Sequence, residues 1–136
     1  MTTYKAGIIG CGGISGSHFR GLKNTGKAEI VYAWDKDEKA VRKAVEEWGV
    51  IGLSSADELI SSDIDIVVIA TPGFAHREYV EAAAEAGKHI LCEKPVALDL
   101  EDAEAIRKAV QKAGITFQVS FNHRYTPAFA SLKSFA

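Results

Sequence analysis

Ile8-Ile9-Gly10-Cys11-Gly12-Gly13-Ile14-Ser15-Gly16 is the stretch on which the fold turns. Just upstream, Ala6-Gly7-Ile8-Ile9 is a short apolar run; downstream, Ile14, His18, Phe19 and Leu22 recur at helical spacing. A glycine cluster therefore joins a strand to a helix. Gly10 permits a tight turn, and Gly12 lets another group approach the main chain closely. The following helix aims its first amides and the positive end of its dipole at the same gap. By itself such a loop also reads as a bare turn, so the rest of the chain has to decide.

Outward from that loop, strand and helix patterns alternate to the end. Ala28–Trp34 is β-rich, and Ala40, Val41, Ala44, Val45 and Trp48 form a helical stripe. Residues 50–53 are a weak strand, and Ser55-Ala56-Asp57-Glu58 has the capping-box spacing of a short helix through Leu59 and Ile60. Residues 64–70 are nearly all apolar, as a strand covered on both faces must be. Thr71-Pro72 stops that strand, and an alanine-rich helix runs to Gly87. His89–Cys92 is the fifth strand, and Asp99 caps a helix lined by Ala103, Ile106, Val110 and Ala113 and closed by Gly114. Ile115, Phe117, Val119 and Phe121 then alternate with polar residues, the period of a strand with one apolar face.

Helical crossovers between short apolar strands predict an α/β fold: a Rossmann-type, doubly wound, mostly parallel six-stranded sheet in the order 3-2-1-4-5-6, with helices on both faces. Residues 1–125 are expected to form this dinucleotide-binding domain. Residues 126–136, with Phe129, Leu132 and Phe135 on one side of an incipient helix, read as the start of a connection to a missing C-terminal substrate domain.

Composition narrows the partners. The 136 residues, 47% hydrophobic, suit one soluble domain, and 16 basic against 18 acidic residues are interspersed along the chain. That balance argues against nucleic acid or an anionic membrane as the main partner, and no apolar run approaches membrane-helix length. With no signal segment after Met1, a cytoplasmic location is expected. Cys11 and Cys92 fall at the ends of the first and fifth strands, two strand spacings apart (about 9.6 Å) in the expected order, too far for a disulfide, so two free thiols are expected. The histidines are dispersed, so no metal site is expected, and no Gly-x-Ser-x-Gly elbow is present.

Asp35 ends the second strand, where an acid can accept hydrogen bonds from adenosine ribose hydroxyls; the same residue also suits the N-cap of the next helix. A carboxylate there repels a 2′-phosphate, which favours NAD over NADP, while Lys36 beside it keeps NADP open. Glycine loop and acid together also serve S-adenosylmethionine-dependent methyltransferases, so these residues leave the ligand undecided.

Three later stretches resemble the N-terminal domain of the glucose–fructose oxidoreductase and inositol dehydrogenase (Gfo/Idh/MocA) family. They are Ala70-Thr71-Pro72 with His76, then Gly87 to Pro95 with its Glu93-Lys94-Pro95 tripeptide, then Phe121-Asn122-His123-Arg124-Tyr125. With Gly10-Cys11-Gly12-Gly13-Ile14 and His18 they span nearly the whole chain in the family's order. The resemblance implies an NAD(P)-dependent oxidoreductase that moves a hydride between nicotinamide and a hydroxyl carbon of a sugar, cyclitol or related molecule. It implies Lys94 as the catalytic residue, polarising the substrate oxygen or assisting proton transfer. Cofactor contacts are implied at Gly10, Gly12, Gly13, Ile14, Asp35, Thr71, Pro72, His76, Glu93, Lys94 and Asn122. Glu93 is read as an ion-pair partner that holds Lys94. His76 is read either as reaching the cofactor cleft or as a partly exposed histidine near a helix start. Arg124 reads as a structural clamp and His18 as packing or capping.

Ser15 stands where the strict fingerprint has Gly or Ala. The segment that carries the family's usual catalytic histidine and acid is not in these residues, so the chain alone is expected to be inactive. Two other functions stay open: a non-enzymatic NAD-binding module or sensor, and a methyltransferase domain, which Glu93-Lys94-Pro95 disfavours. The apolar positions 129, 132 and 135 also raise a possible homo-oligomer.

Overall fold

The computed structural model describes residues 3–134; Phe135, one of the three apolar positions singled out above, lies outside them. Six strands form one sheet: β1 (Tyr4–Ile9), β2 (Ala28–Trp34), β3 (Ile51–Gly52), β4 (Ile66–Ile69), β5 (His89–Cys92) and β6 (Phe117–Val119). Their order is β3-β2-β1-β4-β5-β6, with every neighbouring pair parallel, as the sequence predicts. Helices α1 (Ser15–Thr25), α2 (Glu38–Trp48), α3 (Ala56–Ser61), α4 (His76–Glu85) and α5 (Leu100–Ala113) connect them, and α6 (Pro127–Lys133) follows.

Strand periodicity divides the core into two layers. Ala6, Ile8 and Val68 pack with Phe19, Ala33 and Ala44 on the α1–α2 face. Their chain neighbours Ile9, Val67 and Ile69 pack with Leu59, Val80, Ala83 and Ile106 on the other. All six of these strand residues are wholly buried, and each large one contributes roughly 1.5–3 kcal/mol of apolar transfer. Gly7 makes room for this packing, because a Cβ there would lie 2.6 Å from Leu59 Cδ2 and the leucine would have to shift. Phe19 stacks on Trp48 with ring centroids 5.0 Å apart, fastening α1 to α2.

The local signals hold in detail. Ser55 Oγ accepts the Glu58 N–H, and Asp99 Oδ1 accepts the Asp102 N–H. Gly87 and Gly114 close α4 and α5 with φ of 71° and 66°. One assignment is corrected: the cap of α2 is Asp37, whose Oδ1 accepts the Lys39 N–H, and not Asp35.

Register decides where the site forms. Trp34, Ile9, Ile69, Cys92 and Val119 stand side by side as one rank across β2, β1, β4, β5 and β6. The residues that follow them, Asp35, Gly10, Ala70, Glu93 and Ser120, therefore emerge together at the carboxyl edge. Among the described residues no helix is long and apolar enough to cross a membrane.

Candidate cofactor cleft

The first part of the edge is the glycine loop. Gly10 has φ of 101°, and a Cβ there would meet the Ala70 carbonyl carbon and oxygen at 2.6 Å. Only glycine fits both the conformation and the approach. Gly12 and Gly13 face open space, with nothing within 4 Å of a built Cβ. Helix α1 starts after Ile14 with no side-chain hydrogen bond at its N-terminus, which leaves its amide end available to an anion. Ser15 fits the third fingerprint position by turning its hydroxyl back to the Gly12 carbonyl at 2.7 Å, and it is buried.

Asp35 is fastened to this loop. Its Oδ2 accepts the Cys11 N–H at 2.7 Å and its Oδ1 accepts the Asp37 N–H at 2.9 Å. Each oxygen retains acceptor capacity, so the carboxylate is oriented by the main chain with room for further donors. Beyond it, the Lys36 ammonium lies 5.9 Å from the centre of the exposed Phe74 ring, across the gap between the β2 and β4 ends.

The second part follows β4 and β5. Among the described residues, Thr71 Oγ1 is the one buried side-chain nitrogen or oxygen without a hydrogen-bond partner. It borders the glycine loop, because a Cβ on Gly10 would stand 2.9 Å from the Thr71 amide nitrogen. An orphaned hydroxyl beside an uncapped helix end and two open glycines is the donor set that a dinucleotide's phosphates and riboses satisfy. The residues present fit that cofactor.

His76 corrects an expectation. It is wholly buried: Nδ1 is 2.9 Å from the Pro95 carbonyl and Nε2 2.8 Å from the Thr71 carbonyl. The ring bridges the loops after β4 and β5 and presents no polar atom to the cleft. Pro72 precedes the 3-10 turn Gly73–Ala75 that leads into it.

Glu93 corrects another. Its side chain accepts from His18 Nε2 at 2.9 Å through Oε1, and the Oε2 atom accepts the Lys94 main-chain N–H at 3.2 Å. The partner that holds Glu93 is thus His18, which reads in the sequence as packing or capping. Position 18 follows helical periodicity, and nothing local reveals a partner 75 residues away. Lys94 itself is exposed, and its peptide bond to Pro95 is cis. Ile14, His18, Glu93, Lys94 and Asn122 line one cleft between α1 and the end of β6. Arg124 and Phe129 join Lys94 and Asn122 in the adjoining depression. A separate groove is lined only by helix residues of α4 and α5 and carries none of these groups.

The two thiols are free, as expected. Burial pushes both up to about 12, with the Asp35 carboxylate adding to the effect at Cys11 and Glu93 at Cys92. Neither is a thiolate nucleophile at neutral pH. Among the described residues no three His, Cys, Asp or Glu side chains gather as a metal site.

Residues 4–121 match the family model described as "Oxidoreductase family, NAD-binding Rossmann fold". Glucose-6-phosphate 3-dehydrogenase of Bacillus subtilis is 35% identical over 130 residues, covering 96% of this chain and 37% of the relative. Myo-inositol dehydrogenase Hyg17 of Streptomyces leeuwenhoekii is 32% identical, covering 93% of this chain and 39% of its own length. Among solved structures, the WlbA dehydrogenase of Chromobacterium violaceum, in complex with NADH and UDP-GlcNAcA, superimposes with a TM-score of 0.94 at 32% identity. That match covers 98% of this chain and 39% of the other. The chain thus spans about two fifths of the length of the relatives it matches.

Proposed function

Because the chain belongs to the Gfo/Idh/MocA family of oxidoreductases and is its NAD-binding domain, we propose that it serves a dehydrogenase acting on a hydroxyl carbon of a sugar or cyclitol. The observation that carries this reading is the position of Lys94. Its exposed side chain lines the cleft that Ile14, Glu93 and Asn122 also line, which supports reading its amine as the group that meets the substrate.

The residues divide the work. Gly10, Gly12, Gly13 and Ile14 shape the turn and the helix end that take the pyrophosphate, and Thr71 Oγ1 supplies a donor beside them. Asp35, held by the Cys11 and Asp37 amides, accepts from the adenosine ribose hydroxyls and disfavours a 2′-phosphate. Pro72 and Asn122 border the nicotinamide end. When bound, NAD supplies the hydride acceptor. Lys94 polarises the substrate oxygen as an ammonium or, as a neutral amine, takes the hydroxyl proton as the alcohol becomes a carbonyl and its hydride passes to NAD.

The substrate pocket is assigned to a second domain. The greater length of the relatives supports it, as does α6, which leaves Phe129 and Leu132 exposed. Self-association through the same apolar positions is the alternative cover for α6, and light scattering at high concentration distinguishes it.

The activity is tested on the longer protein, assayed with NAD against a panel of aldoses and cyclitols. Reduction of NAD with at least one of them, abolished by Lys94→Met while NAD still binds, is the expected result. NAD binding without turnover of any would make the protein a binding module.

A further inference from the structure

Resting on that reading of Lys94, we infer that His18 is a positioning residue for it, acting through Glu93. The side chains of His18 and Glu93 are only 10% and 11% exposed, so their bond is largely shielded from solvent at the edge of the cleft. His18 lies on the first turns of α1, just past the helix end that faces the pyrophosphate position. Glu93 is the residue between β5 and Lys94. One carboxylate spends one oxygen on the imidazole and the other on the Lys94 main-chain N–H.

Geometry makes this a coupling and not a simple tether. An ionised carboxylate only accepts, so both of its partners are donors and compete for the same charge. When the His18 ring carries its second proton, the Glu93 charge is drawn towards it, and the bond to the Lys94 amide weakens. The turn that carries the Lys94 amine is thereby linked to the glycine-loop helix through one buried pair. Lys94 and Tyr125 are the other titratable groups lining this cleft, and the pair faces it from between α1, β5 and β6. The Arg77 network with Glu81 and Asp102 belongs to α4 and α5 and does not enter.

The test is nuclear magnetic resonance of the isotope-labelled 136-residue chain without cofactor, following the Lys94 amide and the His18 ring through a pH titration. The Lys94 amide is expected to shift with the midpoint of the His18 ring. His18→Gln keeps a donor near the Nε2 position and removes the charge; there the inflection disappears while the amide stays protected. In Glu93→Gln one of the two acceptors becomes a donor, and solvent exchange of the Lys94 amide rises on the order of tenfold. A Lys94 amide that ignores the His18 midpoint, or keeps its inflection in His18→Gln, overturns the inference. Because the readout needs no cofactor, failure of NAD to bind would strike the dehydrogenase reading alone.

Discussion

On the β1–β2 side of the cleft the geometry is held by main-chain groups. Gly10 sits at a backbone angle that only glycine adopts easily, and the Cys11 and Asp37 amides aim Asp35. On the β4–β5 side it is held by two histidine side chains, one buried and one at the edge of the cleft. His76 bridges the loops after β4 and β5, and His18 fixes the carboxylate beside Lys94. The first side is held by the backbone conformation of Gly10 and by main-chain amides on Asp35. The second is held by side chains, and its His18–Glu93 bond joins residues 75 apart in the chain.

The sharpest way to break the first side is Gly10→Ala. The left-handed φ and the 2.6 Å approach to the Ala70 carbonyl both work against a Cβ. A loss of about 3–5 kcal/mol of stability is expected in urea unfolding, with NAD binding abolished. A change below about 1 kcal/mol would mean that the loop has slack.

His76→Ala breaks the other side. It empties a wholly buried volume and removes the ring that lies within hydrogen-bond distance of the Thr71 and Pro95 carbonyls. About 2–4 kcal/mol is expected. Calorimetry should show NAD affinity falling further than that of ADP-ribose, which lacks the nicotinamide. Equal losses for both would dissolve the distinction between the sides.

Asp35→Ala should weaken NAD binding by about 1–3 kcal/mol through lost charge-assisted ribose hydrogen bonds. Unchanged affinity in a folded variant would reduce Asp35 to a staple for the Cys11 and Asp37 amides.

The smallest effect concerns one thiol from each side. Both are raised from 9.0 to about 12 in the folded chain, so the native state holds these protons more tightly than the unfolded one. Their contribution is complete below pH 9 and is lost as pH rises from 9 towards 12. Urea midpoints should fall across that window, and Cys11, only partly buried, should be labelled by thiol reagents before Cys92. A flat profile would contradict the burial of both.

What was legible in the sequence follows the same division. Strand order, caps at Ser55 and Asp99, the glycine turn and the free thiols were readable because each depends on period or on neighbours within a few residues. Asp35 stands at the strand end where the sequence places it, and the capping role that it also suits falls to Asp37, two residues on, which offers the same chemistry. Lys94 came from resemblance, not from pattern. The roles of His18 and His76 were hidden, because a histidine at helical spacing does not disclose whether a carboxylate or a carbonyl from another strand end meets its ring. Burial settles that, and burial is a property of the whole sheet.

Calorimetric titration of the 136-residue chain with NAD, NADP and S-adenosylmethionine is the most direct test of the dinucleotide cleft. Saturable binding of NAD, weaker binding of NADP and none of S-adenosylmethionine is the predicted result. A folded sample that ignores NAD, or takes S-adenosylmethionine in its place, would contradict the assignment of Gly10, Gly12, Asp35 and Thr71 to a dinucleotide.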